Sequence, residues 1–322
     1  MKNKLSLLPT PLAGLALAIA SLGWSWENMV DLGGAAKLAG AAVGGILLVL
    51  LALKFISAPK SLVQDLSHPV VGSVVPTFAM GLMVVSHGIG QYSPLIGDTL
   101  WLLAIAMHIV FLCLFVSHRA KNFVLSDMVP SWFVPPVGLI VADVAFSGNP
   151  ALEPVADAVL TFGLLSYTVL LPLMMYRLIF CTGIPDAAKP TIAILAAPAS
   201  LSLAGYLTVT DQPSPVLVSV LLGIAVLMTS LVYMSFIRLL RLPFSPGYAA
   251  FTFPMVIGST ALYKVSGWAA ERGLDQLYID QLRRLADFEL VVATIVVVYV
   301  AVRYSCFITG QFAQDRMKAT HG

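Results

Sequence analysis

The sequence predicts an all-α integral membrane protein of ten transmembrane helices, paired as five helical hairpins. Three observations predict it. The chain has too few charges to cover a water-facing surface. Its apolar runs are long enough to cross a bilayer as helices. A proline motif recurs once in every pair of runs.

The chain is 59% hydrophobic and only 11% charged, with a mean hydropathy of +0.91. Soluble domains carry about 25% charged residues, so this composition excludes a soluble globular protein. The runs fit helices crossing a core of about 30 Å and are too long for barrel strands. A net charge of +2 supplies no field for nucleic acid. Cys113, Cys181 and Cys306 lie in or beside apolar runs without CxxC spacing and read as small packing residues. His68, His87 and His108 have no partner at metal-ligand spacing. No His, Asp or Cys cluster suggests a membrane-embedded enzyme, and the sequence implies no cofactor.

The ten spans fall near 9–26, 34–56, 69–90, 94–117, 131–148, 152–180, 188–209, 214–240, 244–267 and 285–309. Lys2 and Lys4 before an apolar run resemble a signal peptide. Pro9, Pro11 and Trp24, with no small-residue cleavage site before Glu27, favour a retained first span instead. The whole chain, 1–322, reads as one transmembrane domain. Its longest polar connector is Trp268 to Arg284.

The basic residues set the orientation. With the N-terminus in the cytoplasm, only Lys37, Lys264, Arg272, Arg283 and Arg284 fall outside. The remaining 13 of the 18 lysines and arginines fall inside. Connectors alternate accordingly, which supports the span count and puts both termini in the cytoplasm.

Odd-numbered spans share a motif: TPLAGLALA, VPTFAMG, VPPVGLIVA, APASLSLAG and FPMVIGSTA. Their prolines are Pro11, Pro76, Pro136, Pro198 and Pro254, at steps of 65, 60, 62 and 56 residues. The unit is a hairpin of about 60 residues used five times. A proline removes a backbone donor, and the freed carbonyl is tolerated where a helix is buried or lines a water-filled cavity. Five breaks, one per odd span, suggest that the odd helices are kinked and surround a common axis, with the even helices outside. The small residues after each proline allow close approach. Kinks made only for packing are the simpler alternative, which explains single prolines and not the alternation.

LPTPLAGLALAIASLGWSW, HPVVGSVVP, PSWFVPPVG and PFSPGYAAFTFPM resemble the tellurite-resistance/dicarboxylate transporter family. That family includes the bacterial tellurite-resistance protein TehA, fungal malate and sulfite permeases and the plant slow anion channels, with SLAC1 among them. The resemblance covers nearly the whole chain. It implies five hairpins around a quasi-five-fold pore, a homotrimer with one pore per protomer, and a bacterial inner membrane. It also implies that Phe253, next to Pro254, plugs the pore, with Phe251 the weaker candidate, and that Gly14 lies at the narrow wall. Ala249 and Ala250 stand where relatives carry bulkier aromatics, which implies looser packing behind Phe253. Without the resemblance, Phe253 reads equally well as a packing aromatic.

Phe251 and Phe253 lie about 200° apart on a regular helix, so both cannot face one axis. Lys and Arg are absent from the middles of the odd spans, which suits weak anion binding and selection by dehydration and size. Thr77, Ser200, Ser202 and Thr252 are candidate hydroxyl donors. Asp98, Asp143, Asp157 and Glu289 are acids within spans, functional candidates by default. Asp143 follows Pro136 by two turns and is the candidate for proton coupling, against a structural role near the outer interface. His108 reads as a hydrogen-bonded packing histidine.

Two functions remain open. One is a gated channel or permease for small anions such as chloride or nitrate. The other is a proton-coupled secondary transporter exporting dicarboxylate, sulfite or a tellurite-type oxyanion. The partners implied are small inorganic or carboxylate anions and the lipid bilayer, with no nucleic acid.

Overall fold

The computed structural model describes residues 5–121, 123–181 and 183–321, and of residues 315, 316 and 318–321 the backbone alone. Lys2, Lys4 and the side chains of Arg316 and Lys318, which enter the charge count above, lie outside the described residues.

Among the described residues the secondary structure is helical throughout. The principal helices are α1 (Leu12–Met29), α2 (Ala35–Ser57), α3 (Pro59–Ser67), α4 (Thr77–Gly90) and α5 (Pro94–Lys121). After a broken segment, Pro130–Val144, come α6 (Glu153–Phe180), α7 (Ala197–Val209), α8 (Pro215–Leu239), α9 (Phe253–Glu271) and α10 (Gln276–His321). Seven stretches are long and apolar enough to cross a membrane: Ala35–Ser57, Val71–Gly90, Pro94–Lys121, Pro150–Phe180, Asp186–Val209, Pro215–Leu239 and Gln276–Gln314. The α1, Pro130–Val144 and α9 segments fall outside that set because they are shorter or more polar. Ser21, Ser25 and Glu27 of α1 and Ser259, Thr260 and Lys264 of α9 lower their hydropathy. A segment surrounded by protein does not need the apolar surface that lipid demands.

Burial separates two classes. Val71–Gly90 and Asp186–Val209 bury 72% and 67% of their apolar windows inside the protein, against 28–39% for the other five stretches. The proline-bearing segments also form a closed circuit. Helix α1 packs on α4, α4 on Pro130–Val144, that segment on α7, α7 on α9, and α9 back on α1. Each also packs on the long helix that follows it. In the α1–α2 pair, a Cβ added at Gly40 or Gly44 would meet α1 carbonyl oxygens at 2.8 or 2.7 Å. The two backbones touch there, which only glycine permits.

The motif prolines fall where an α-helix begins or the helix type changes within a helical run, not in the middle of an unbroken α-helix. Pro11 and Pro76 occupy the N-cap positions of α1 and α4, and Pro198 and Pro254 lie in the first turns of α7 and α9. Before α7 and α9 the chain runs as 3-10 helix, over Asp186–Ala196 and Pro246–Phe251. Pro136 lies in a single α-turn, Val134–Val137, between two 3-10 turns. Proline is tolerated in a first turn because its missing N–H has no partner there in any case. The segments before α7 and α9 and around Pro136 are therefore joints between two kinds of helix.

Side chains repair the joints. From α5, Trp101 Nε1 donates to the Ala142 carbonyl at 2.9 Å and His108 Nε2 to the Pro135 carbonyl at 2.7 Å. The two donors are seven residues apart and so share a face of α5. Thr77, Thr191 and Thr252 donate to the carbonyls of Val74, Ala188 and Ala249, each at 2.6 Å.

The connector between α9 and α10 is short. Arg272 to Asp275 make the turn, with Gly273 at φ +69°, and Gln276 to Arg284 belong to α10. Polar composition there marks a helix end outside the apolar layer, where a connector is expected from hydropathy.

Candidate functional site: the axial cavity and its closure

A cavity of about 760 Å³ lies at the N-terminal ends of the five proline-bearing segments. Its wall is apolar apart from Ser6, Thr10, Lys54, Asp65, His68, Thr77, Thr191 and Ser245. Beyond it along the same segments lies a second space of about 20 Å³, lined by Ser21, Trp24, Val84, Val141, Val144, Leu201, Phe253, Ile257 and Thr260.

The two spaces lie along the same helix faces. Gly14 and Leu17 line the first and Ser21 and Trp24 the second. The same holds for Thr77 and Met80 then Val84, and for Val134 and Val137 then Val141 and Val144. In α9 and the joint before it the series is Ala250, Phe253, Ile257 and Thr260. Steps of three and four mark a single face of each segment.

Phe253 is 7% exposed and borders both spaces. Its direction follows from the joint. In the 3-10 helix Pro246–Phe251 side chains at i and i+3 eclipse, so Tyr248 lies beneath Phe251, while Ala250 and Phe253 both line the large cavity. Ala249 and Ala250 line the cavity. Phe251 points the other way and is fully buried, 5.4 Å from the Phe236 ring and 4.7 Å from that of Tyr248. It lines neither space. Gly14 lines the large cavity, and a Cβ there would meet Ala249 Cβ at an ordinary 3.5 Å. Ala249 thus packs against α1, and its small size lets Gly14 approach.

Among the prolines, Pro11, Pro198 and Pro254 line the large cavity, whereas Pro76 and Pro136 stand outside its wall. Asp143 also lies off the path. The lining face of its segment runs through Val137, Val141 and Val144, and Asp143 is about 200° around from Val141. It is fully buried beside Gly205 of α7, and neither carboxylate oxygen has a hydrogen-bond partner among the described residues. Glu289 packs on Gly258 of α9, away from both spaces. Of the expected hydroxyl donors only Thr77 reaches the cavity wall, and it donates to Val74.

Two features escape a reading by sequence. Leu201 borders both spaces with Phe253. Lys54, which reads as an end-of-span cation, is 4% exposed and lies in the cavity wall. Its Nζ donates to Thr10 Oγ1 at 2.8 Å and lies 3.9 Å from Asp65 Oδ2, while Thr10 donates to Asp65 at 2.5 Å. The signal is a lone lysine three residues before the end of an apolar helix, where a long side chain turns back along the protein.

A family model described as a voltage-dependent anion channel (SLAC1) matches residues 11–305. Two relatives from Methanocaldococcus jannaschii bear the names "Uncharacterized transporter MJ0762" and "Uncharacterized transporter MJ0576". The first is 27% identical over 250 residues, covering 69% of this chain and 73% of the relative. The second is 27% identical over 248 residues, covering 68% and 71%.

Proposed function

The chain belongs to the SLAC1 voltage-dependent anion channel family, and we propose that it is a channel for small anions closed by the ring of Phe253. The path is the axis of ten spans, five hairpins in quasi-five-fold order, with the N-terminal ends of the inner segments facing the cytoplasm. In keeping with the resemblance, each protomer of a homotrimer carries its own path in a bacterial inner membrane.

One observation carries this reading: Phe253, with Leu201, borders both axial spaces. A ring in an apolar constriction blocks ions by its bulk and by excluding water. Among the described residues the wall of the large cavity offers one ammonium, that of Lys54, and Asp65 lies beside it. Anions that enter meet little uncompensated charge, so binding is weak and passage favours ions that shed water cheaply. Asp143, the candidate for proton coupling, is off the path. The ionisable groups at the cavity wall are Lys54 and Asp65, which lie side by side, and His68, whose ring accepts the backbone N–H groups of Val70 and Val71; their engagement with these partners favours the channel. Anion current on removal of the Phe253 ring is the test.

A further inference from the structure

The faces that line the axis continue past the small space. In α4, Thr77, Met80 and Val84 are followed one turn on by His87. In α9, Phe253, Ile257 and Thr260 are followed one turn on by Lys264. At this level α1 presents Trp24, which lines the small space. The His87 ring stacks on the Trp24 indole with centroids 4.0 Å apart and planes 23° apart. Lys37 Nζ, from the first turn of α2, lies 5.3 Å from the centroid of the same indole. Lys37 and Lys264 each lie close enough to act electrostatically on His87, and Lys37 on Lys264.

Lys37 from α2 and His87 from α4 therefore converge on one indole, and Lys264 stands one turn beyond Thr260 on the face of α9 that lines the small space beside that indole. Among the described residues no carboxylate pairs with either lysine. Glu27, the nearest acid along α1, accepts the backbone N–H groups of Leu32, Gly34 and Ala36 instead. The His87 ring is held between the Ala145 carbonyl and the Gln91 amide. Below the indole, the Ser21 hydroxyl lines the small space and has no hydrogen-bond partner among the described residues.

We propose that Trp24, Lys37, His87 and Lys264 form a binding site for a small inorganic anion at the far end of the axial path, with the Ser21 hydroxyl as a donor beneath it. Two half-buried ammonium groups that no carboxylate contacts among the described residues repel each other, and an anion between them reverses that cost. The indole face holds Lys37 in place through its π-electrons. A volume of about 20 Å³ below the site admits about one water-sized particle. An ion that passes between the site and that space is then a halide or of similar size, and a dicarboxylate is too large to follow. The site deepens the channel reading, on which its role in permeation rests, but its occupancy does not depend on current.

The test is chloride NMR line broadening on the purified protein in detergent. The wild type is expected to give a saturable excess broadening. Phe253→Ala and the charge-keeping pair Lys37→Arg/Lys264→Arg keep it. Lys37→Gln/Lys264→Gln loses most of it at an unchanged melting temperature. The single variant Lys37→Gln, at a helix start, weakens it even where the pair folds poorly. Wild-type broadening without saturation, or equal broadening in the wild type and the folded glutamine variants, overturns the site. Absence of current in Phe253→Ala with this broadening intact would instead count against the channel alone.

Discussion

Leu201 of α7 and Phe253 of α9 border both the 760 Å³ cavity and the small space beyond it, and no other described residue borders both. On the channel reading the closure therefore has two sides, an aromatic ring and a branched aliphatic chain from neighbouring inner helices. Truncation of either widens the same gap. Leu201→Ala is expected to raise anion current above wild type, by less than Phe253→Ala because a smaller side chain is removed. The double variant should exceed both singles. Current in Leu201→Ala equal to wild type, from protein present at the surface, contradicts a shared closure.

Phe251 separates gating from packing. Its ring is wedged between Phe236 and Tyr248 on the side away from the cavity. Truncating a buried phenylalanine costs about 3–5 kcal/mol, so Phe251→Ala should lower the melting temperature of the purified protein and leave the closed state closed. A large current from Phe251→Ala would move the gate two residues.

His108 ties α5 to the broken fifth segment through the Pro135 carbonyl. Replacing it by leucine leaves that carbonyl without its donor in an apolar layer, at a cost of about 1–3 kcal/mol. The expected result is a lower melting temperature with little change in ion selectivity. An unchanged melting temperature would mean that the carbonyl finds another partner.

Lys54, Thr10 and Asp65 form a coupled group at the cavity wall. Lys54→Met leaves Asp65 with Thr10 alone, and Asp65→Asn leaves Lys54 without its counter-charge. Each single variant should destabilise the protein more than the pair Lys54→Met/Asp65→Asn, because breaking a buried pair strands one charge. A double-mutant cycle on melting free energies reads the coupling. Additive effects would show that the 3.9 Å approach carries no energy.

The helical class and the inner set of segments were legible in the sequence because hydropathy and proline punctuate it at regular intervals. Phe253 is singled out by the family resemblance of the stretch before Pro254; the residues alone do not distinguish a ring that borders both spaces from a packing aromatic. The joint was not. Nothing local distinguishes a proline that kinks a helix from one that starts it after a 3-10 stretch, and the difference decides which side chains turn inward. Counting two turns from Pro136 puts Asp143 on the proline's own face, while the cavity face runs through Val137, Val141 and Val144. Lys54 and Trp24 depend on contacts between segments far apart in the chain, for which periodicity carries no signal. Gln276 to Arg284 reads as a loop because it is polar, although polarity there only marks the end of the apolar layer.

The most direct measurement is anion current under voltage clamp, in a planar bilayer, for the wild type and Phe253→Ala. A channel closed by that ring gives a small wild-type current that rises by orders of magnitude in the variant and reverses near the chloride or nitrate equilibrium potential. Equal, negligible currents in both proteins, together with pH-dependent dicarboxylate or oxyanion flux in liposomes, would contradict it.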